Sequence, residues 1–213
     1  MKKLLTLILV ALMVTPSFAQ FETSRKRSRY NHSDTERYYG LRLGVNSATL
    51  NSSSVMMDMN ARAGLAFGAV YGLQLANSTP LWLEAGAFYS EKGGKNNVPD
   101  TDVDIKCRLT YIEIPVVVKY AFDIADDFYL QPFIGGFFSV GVGGKTKDYV
   151  KRESYSSYHH VNRLDAGIRL GCGIEYQMVY AEAGFDFGLA NIGKDDFDSV
   201  RTQTLFFNIG VNF

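Results

Sequence analysis

The residues whose side chains could most readily take part in catalysis are two adjacent histidines, His159 and His160, which follow three serines. A histidine beside a hydroxyl can act as a general base and activate that hydroxyl as a nucleophile. The serines in reach along the chain are Ser154, Ser156 and Ser157. Catalysis requires a mutual geometry that spacing alone does not supply, so solvated loop histidines are the preferred interpretation. A histidine pair without a third ligand is also a poor chelate, and we expect no metal and no cofactor.

The segment 143–163 around these histidines combines basic and aromatic side chains. Such side chains together can hold the phosphates of an anionic glycolipid or the face of a sugar. The candidate binding residues are Lys145, Lys147, Tyr149, Lys151, Arg152, Tyr155 and Tyr158. A solvated loop of this length often has the same composition, so a role without a ligand stays open.

Acidic residues in the neighbouring segments offer two further alternatives. They can pair with the basic segment or bind divalent cations, and pairing is the simpler interpretation. These residues are Asp100, Asp102, Asp104, Asp195, Asp196 and Asp198.

A second set of charged residues lies at alternate positions of segments that are otherwise apolar. Between Val179 and Leu189 the odd-numbered residues are apolar, whereas the even-numbered ones are polar or small and include Glu182 and Asp186. Alternation with a period of two predicts a strand with one apolar face. The pattern recurs eight times, at 39–46, 64–76, 81–92, 109–120, 128–142, 164–176, 179–189 and 205–213.

The lengths of the connections between these strands indicate how they are arranged. Short connections at 77–80, 121–127 and 177–178 alternate with long ones at 47–63, 93–108, 143–163 and 190–203. Short periplasmic turns and long extracellular loops are typical of transmembrane β-barrels. No charge lies on the apolar faces, as lipid contact requires. We therefore predict an all-β fold, an eight-stranded antiparallel up-and-down transmembrane β-barrel.

The predicted barrel directs the charged residues of the polar faces into its interior. They are Arg42, Glu84, Glu113, Lys119, Asp165, Arg169, Glu175, Glu182 and Asp186. An eight-stranded barrel is only wide enough for side chains to fill, and confined charges must be paired or hydrated. We therefore expect a plugged lumen with almost no conductance. A proton or small-ion route along the acidic residues is the alternative.

Individual aromatic, proline and cysteine residues of the strands predict further local features. Aromatic residues at the expected periplasmic strand ends predict an interfacial girdle of Tyr38, Trp82, Tyr120, Phe128, Tyr129, Tyr176, Tyr180 and Phe213. Pro115 removes a ladder donor and predicts a bulge or bend. Cys107 falls in a predicted loop and Cys172 on a strand face, so we expect no bond between them.

The amino terminus has the features of an export signal. Lys2 and Lys3 precede an apolar run and a small-residue site ending at Ala19. We therefore divide the chain into a signal peptide at 1–19, a flexible periplasmic leader at 20–37 and a barrel domain at 38–213. Removing the two lysines of the signal leaves a formal charge of about −2, which disfavours nucleic acid as a partner.

Four stretches of the chain resemble the PorT-like outer-membrane β-barrel proteins, which are often described as porin-family proteins. They are YYGLRLGVN from Tyr38, YIEIPVVVKY from Tyr111, FYLQPFIGGFFSVGVG from Phe128 and the closing FFNIGVNF. The resemblance implies an outer-membrane location in a Gram-negative envelope, with lipid and lipopolysaccharide as surroundings. The terminal Phe213 is similar to the signal that the outer-membrane insertion machinery recognises. Neither the fold nor the resemblance specifies an activity.

These observations together favour a non-enzymatic outer-membrane barrel with a plugged lumen. It would act in envelope integrity or in loop-mediated binding at the cell surface. The alternative is a transport or protein-secretion-associated barrel with an envelope protein as partner. An enzyme that uses His159 or His160 is the third hypothesis.

Overall fold

The structure is a computed structural model that describes residues 36–52, 59–76, 79–98, 103–148, 153–159, 162–193 and 200–213. The strands are β1 Arg37–Ser52, β2 Met59–Ala76, β3 Thr79–Val98, β4 Val103–Tyr120, β5 Phe122–Ala125, β6 Phe128–Asp148, β7 Glu153–Ser156, β8 Leu164–Tyr176, β9 Val179–Gly188 and β10 Val200–Asn212. A 3₁₀ turn follows β7 at Ser157–His159. The predicted signal peptide and all of the predicted leader before Glu36 lie outside the described residues.

Eight long strands form one closed antiparallel barrel. Each pairs with its neighbours in the order β4, β3, β2, β1, β10, β9, β8, β6, and pairing of β6 with β4 closes the ring. The short strands β5 and β7 both pair with β6. The predicted eight-stranded antiparallel barrel is thereby confirmed, and the closed ring leaves no unpaired edge along the long strands. None of the helical segments among the described residues has the length and hydropathy of a membrane span.

The barrel is apolar outside and polar inside. On β1 and β10 the outward residues include Leu41, Leu43, Phe207 and Ile209, each about half exposed. The strand residues between them, such as Arg42, are buried. Soluble proteins rarely expose a continuous apolar surface of this size, so the outer wall is built for contact with lipid.

The outer wall yields a first prediction. Ile168 is exposed on the outer face of β8, and Ser156 is exposed on the short strand β7. Replacing Ile168 with arginine should cost about 2 kcal/mol of insertion free energy, because the charge faces hydrocarbon. The yield of barrel refolded into lipid vesicles measures the effect. Ser156→Arg is the control and should refold like the parent, and equal yields for the two variants would show that the outer face is wrongly assigned.

One end of the barrel carries hairpins that are longer than the sequence pattern indicates. We call the end where β1 meets β2, β3 meets β4, β6 meets β8 and β9 meets β10 the hairpin end, and the opposite end the turn end. The predicted loop at 93–108 is wrong, because β3 and β4 stay paired from Gly93↔Arg108 to Val98↔Val103. Cys107 therefore lies on β4 and is buried, not in a loop, and both cysteines are free thiols.

The other long connections are shorter than predicted for the same reason. Strand β1 continues to Ser52, β2 begins at Met59, β6 continues to Asp148 and β10 begins at Val200. Backbone pairing needs no apolar face, so the ladder continues where alternation of side-chain polarity stops. Alternation therefore marks only the part of each strand that faces lipid.

The predicted aromatic girdle is partly wrong. Tyr38, Trp82 and Tyr180 are buried inside the barrel, because they share strand parity with Arg42, Glu84 and Glu182. Tyr120, Tyr176 and Phe213 are exposed outside, where Tyr39, Tyr71 and Phe122 accompany them. The turn end thus has a belt of aromatic residues on its outer face and three buried aromatic residues inside.

A bulge lies in β6, and Pro115 does not cause one. The register of β4 is the same on both sides of Pro115, from Val116↔Ala85 to Glu113↔Phe88. The pairing of β4 with β6 instead shifts by one residue between Thr110↔Gly143 and Tyr111↔Gly141. The extra residue in β6 reverses its parity, so beyond the bulge Lys145 is exposed and Thr146 is buried.

Candidate functional site

The barrel interior holds all nine charged residues that the strand pattern directs inward. Each is buried, and together they are Arg42, Glu84, Glu113, Lys119, Asp165, Arg169, Glu175, Glu182 and Asp186. The structure adds Lys92, which is 1% exposed. Lys92 has the same parity as Glu84 on β3, but it stands at the last position of the predicted strand, where alternation gives least information. Strand parity applied to that last position would have found it.

The charged residues nearer the hairpin end form one network, the hairpin-side cluster of Lys92, Glu113, Asp165, Arg169 and Asp186. Arg169 binds Asp186 with two bonds, Nε to Oδ1 at 2.6 Å and Nη2 to Oδ2 at 2.7 Å. The same Nη2 lies 2.5 Å from Oε1 of Glu113, whose Oε2 lies 2.5 Å from the Lys92 Nζ. Asp165 accepts a hydrogen bond from Thr202 at 2.7 Å. The cluster therefore links β3, β4, β8, β9 and β10 across the lumen.

The remaining charges form the turn-side cluster of Arg42, Glu84, Lys119, Glu175 and Glu182. The Lys119 Nζ lies 2.9 Å from Oε1 of Glu84 and 3.7 Å from Oε2 of Glu182. The Arg42 guanidinium lies 4.0 Å from the centre of the Tyr180 ring and 3.6 Å from Glu84. Buried ions require such compensation, because an unpaired charge in this space would be strongly destabilising.

Neutral side chains complete the hydrogen bonding of the turn-side cluster. The Tyr38 hydroxyl donates to Glu84 at 2.5 Å, and the Tyr180 hydroxyl donates to Glu182 at 3.1 Å. Glu175 accepts from the amides of Gln131 at 3.1 Å and Asn212 at 2.7 Å. These bonds join the buried tyrosines of the turn end to the carboxylates of the turn-side cluster.

An aromatic layer separates the two clusters. Phe133 and Phe206 stack with ring centres 6.4 Å apart, and Val117 packs with them. The Lys119 ammonium lies 5.3 Å from the Phe133 ring, and the Arg169 guanidinium lies 4.4 Å from the Phe206 ring. Each cluster therefore has one cation resting on this layer, a favourable contact with the ring face.

The hairpin end of the lumen is closed by an apolar cap. Its buried members are Leu50, Cys107, Leu109, Tyr111, Tyr158, Ile192 and Val200. The rings of Tyr111 and Tyr158 meet edge to face, and the Tyr158 hydroxyl donates to the Thr110 carbonyl at 2.9 Å. Burial raises the pKa of Tyr158 to about 12, so the hydroxyl remains a donor at physiological pH.

The structure corrects the role predicted for Tyr158 in the basic-aromatic segment. It is buried and fills the space above Gly141, where a Cβ would collide with its ring, so it closes the lumen and does not present itself to a ligand. Lys145 is exposed on β6. Lys147 lies on β6 and Tyr155 on β7, whereas Tyr149, Lys151 and Arg152 lie outside the described residues.

The possible catalytic and metal-binding residues of this segment and of its acidic neighbours are placed as follows. The Ser157 hydroxyl is buried and donates to the Arg108 carbonyl at 2.9 Å, Ser156 is exposed, and His159 ends the 3₁₀ turn. Ser154 lies on β7, and His160 lies outside the described residues. Asp104 lies on β4, and the other loop aspartates are not described. Within the described ranges no group of three or more potential metal ligands occurs.

A lipid-facing barrel with a closed, polar interior defines a transmembrane β-barrel protein of the outer membrane. Residues 18–193 match the family described as "Outer membrane protein beta-barrel domain". The chain belongs to this family, and it is an outer-membrane protein. No curated protein shows significant sequence similarity to it.

Solved structures share the fold at low sequence identity. The neisserial surface protein A is 17% identical, with a TM-score of 0.48 over 82% of this chain and 97% of its own. The attachment invasion locus protein Ail of Yersinia pestis, solved with the heparin analogue sucrose octasulfate, is 13% identical with a TM-score of 0.45 over 84% and 99%. OprG of Pseudomonas aeruginosa is 9% identical with a TM-score of 0.47 over 86% and 98%. These likenesses concern the fold alone.

Proposed function

We propose that this protein is a non-enzymatic outer-membrane barrel that conducts almost nothing and acts through its hairpin end at the cell surface. The observation that carries the proposal is closure of the lumen at successive levels. The apolar cap, the hairpin-side cluster, the aromatic layer and the turn-side cluster follow one another along the barrel. A barrel that is filled in this way leaves its outer surfaces to carry its function in envelope integrity or binding.

The orientation in the membrane is part of the same proposal. Barrels of this class have short turns on the periplasmic side and longer segments outside, so the hairpin end faces the exterior. The exposed phenyl ring of Phe213 then lies at the periplasmic end, which suits recognition by the insertion machinery. The finer resemblance to PorT-like barrels and contact with lipopolysaccharide belong to this proposal as well.

The geometry around Ser157 favours a structural role for this serine. Ser157 uses its hydroxyl within the wall, through bonds to the Arg108 carbonyl and the Thr146 hydroxyl. A nucleophile must be free to attack a substrate and must face a base. Ser157 is buried and bonded to its neighbours, so it is a structural residue in this proposal.

Planar-bilayer recording of the purified barrel tests the closed lumen. We expect no sustained single-step openings, because ions would have to cross two paired charge clusters and an aromatic layer. Boiled protein serves as the control for detergent artefacts. Sustained openings of porin size would overturn the proposal and favour the transport alternative.

A further inference from the structure

The short strand β5 leaves one backbone edge exposed at the turn end of the barrel. β5, Phe122–Ala125, follows β4 in the chain and pairs with β6 on one side. On the other side β3 begins at Thr79, and Ala121 donates a hydrogen bond to the Pro80 carbonyl at 2.9 Å. Beyond Ala121, no strand among the described residues pairs with this side of β5. An edge of this kind offers N–H and C=O groups to an extended peptide.

The side chains of β5 and of the turn after it combine apolar and acidic groups in solvent. Phe122 and Ile124 are each about half exposed. Asp123, Asp126 and Asp127 are exposed as well. No basic side chain in the described part of the chain forms an ion pair with any of these three carboxylates. The edge of β5 therefore lies beside a negative charge that the described residues leave open to a partner.

A cleft of about 250 Å³ lies beside the exposed edge. Its lining includes Pro80, Tyr120, Phe122, Asp123 and Tyr129. Sites for drug-sized ligands measure roughly 300–1,000 Å³, so this cleft suits a single side chain of a bound peptide. Aromatic rings next to a carboxylate suit a long basic side chain, whose stem packs on the rings while its charge reaches the carboxylate.

The chain itself supplies a segment of the complementary charge. The run Arg25-Lys26-Arg27-Ser28-Arg29 carries four positive charges and belongs to the predicted leader, outside the described residues. The leader joins the barrel at the same end as β5, because β1 begins at Arg37, which pairs with Leu73 near the end of β2. A basic segment is therefore tethered to the end of the barrel that carries the three exposed carboxylates.

The tether is long enough for the basic run to reach β5. The ladder places the start of β1 level with Lys119 of β4, by way of Gln74 and Trp82. Three strand spacings around the wall are about 14 Å, and the four residues from Lys119 to Asp123 add about 13 Å along the strand, so the diagonal is roughly 20 Å. The seven residues 30–36 span up to about 23 Å when extended. The run can therefore contact β5 while β1 stays paired.

We infer that residues 25–29 of the leader dock on the exposed edge of β5, with their cations on Asp123, Asp126 and Asp127. The inference goes beyond the proposed function, since it concerns the opposite end of the barrel and depends on neither the lumen nor the hairpins. A covered edge cannot pair with the same edge of a second copy. The docked leader thus protects the barrel against edge-to-edge association.

Trypsin cleavage of the leader tests the docking, because trypsin cuts after the arginines and the lysine of the run only when they are accessible. The predicted mature chain from Gln20 is refolded in zwitterionic detergent, and mass spectrometry follows cleavage within residues 25–29. The triple variant Asp123→Asn, Asp126→Asn and Asp127→Asn should be cut about tenfold faster than the parent, since three surface ion pairs are lost. Asparagine keeps the size of each side chain and tolerates the positive φ of 60° at Asp127.

The control variant Glu22→Gln with Asp34→Asn removes two carboxylates from the leader instead of from the barrel. It should be cut at the rate of the parent. Equal acceleration by this control would overturn the inference, since general charge would then be the cause. The heat-dependent gel shift shows that each variant carries a folded barrel.

Carbodiimide coupling identifies the contact, because it joins an amine and a carboxylate that touch. Lys26 has the one side-chain amine of the run. We expect a link from Lys26 to Asp123, Asp126 or Asp127 of the same chain. Lys26→Arg keeps the charge, so it should lose the link and remain protected from trypsin.

Two other occupants of the edge would give different results. Links between isotope-labelled and unlabelled chains in a mixed sample would assign the edge to a second copy and overturn the inference. Protection that requires vesicles with phosphatidylglycerol and survives in the triple variant would assign the basic run to the membrane. Equal cleavage of the parent and the triple variant in detergent would show that the leader does not dock on these carboxylates.

Discussion

Replacing Arg169 with alanine is expected to destabilise the barrel by about 3–5 kcal/mol. The substitution leaves Asp186 without its two-bond partner and leaves Glu113 with Lys92 as its cationic neighbour. Two carboxylates buried in the lumen would then share one ammonium, Lys92, whose Nζ lies 3.9 Å from Asp186. Removing one partner of a buried ion pair is costly, because the remaining charge is then neither hydrated nor paired.

Urea unfolding of the refolded protein, followed by the loss of fast migration in unboiled gel samples, measures this effect. Arg201→Ala is the control, because Arg201 is exposed at the hairpin end of β10. This substitution should change the free energy of unfolding by less than about 0.5 kcal/mol. A midpoint for Arg169→Ala within error of the control would show that the hairpin-side cluster does not stabilise the barrel.

Replacing Gly173 with alanine should lower the free energy of unfolding by about 3 kcal/mol. A Cβ at this position would collide with the hydroxyl and ring of Tyr180. Tyr180 is fully buried, bonds Lys119 at 2.7 Å and Glu182 at 3.1 Å, and lies under the Arg42 guanidinium. Overpacking here therefore also displaces the partners of buried charges, which water cannot reach to replace the lost contacts.

Gly143→Ala is the matched control for this substitution. A Cβ on Gly143 meets nothing within 4 Å, so the same chemical change occurs on the barrel wall in open space. The same urea titration should give Gly143→Ala a midpoint close to that of the parent. If Gly173→Ala also unfolds like the parent, Tyr180 does not occupy the position that organises the turn-side cluster.

The two charge clusters explain how a barrel can be polar inside and stable. Each cluster includes contacts between strands that are not neighbours, such as β4 and β8 in the contact of Glu113 with Arg169 at 2.5 Å. The ladder joins neighbouring strands, and these contacts join strands that do not pair with each other. Cations in both clusters also rest on aromatic faces, which adds an attraction that needs no further carboxylate.

The class of fold follows from the sequence because lipid imposes a strict alternation on each strand. Residues such as Leu41, Ile168 and Phe207 face outward wherever alternation places them. The same parity rule puts Arg42, Glu113 and Arg169 inside, and the structure buries each of them. Alternation is readable without any tertiary information, since it depends only on the backbone pleat and on the absence of charge from one face.

The ends of the strands could not be predicted in this way. Above the lipid both faces of a strand meet polar surroundings, so the side chains of the β3–β4 hairpin no longer alternate although the backbone remains paired. Strand parity does place the aromatic residues of the turn end, since Tyr38 shares the parity of Arg42 and Tyr39 that of Leu41. Tyr38 and Tyr39 are adjacent and chemically alike, yet one is buried and the other faces outward.

The sequence by itself therefore determined the barrel, its lipid-facing surface and the identity of most lumen charges. The tertiary structure alone decided which charges pair across the lumen, because Arg169 on β8 meets Glu113 on β4, a strand distant in the chain that does not pair with β8. It also decided that the bulge in β6 exposes Lys145 beside Arg108 and that Tyr158 lies inside the cap. A one-residue bulge and a cross-barrel contact leave no periodic trace in the sequence, since each depends on strand register and on where the barrel closes.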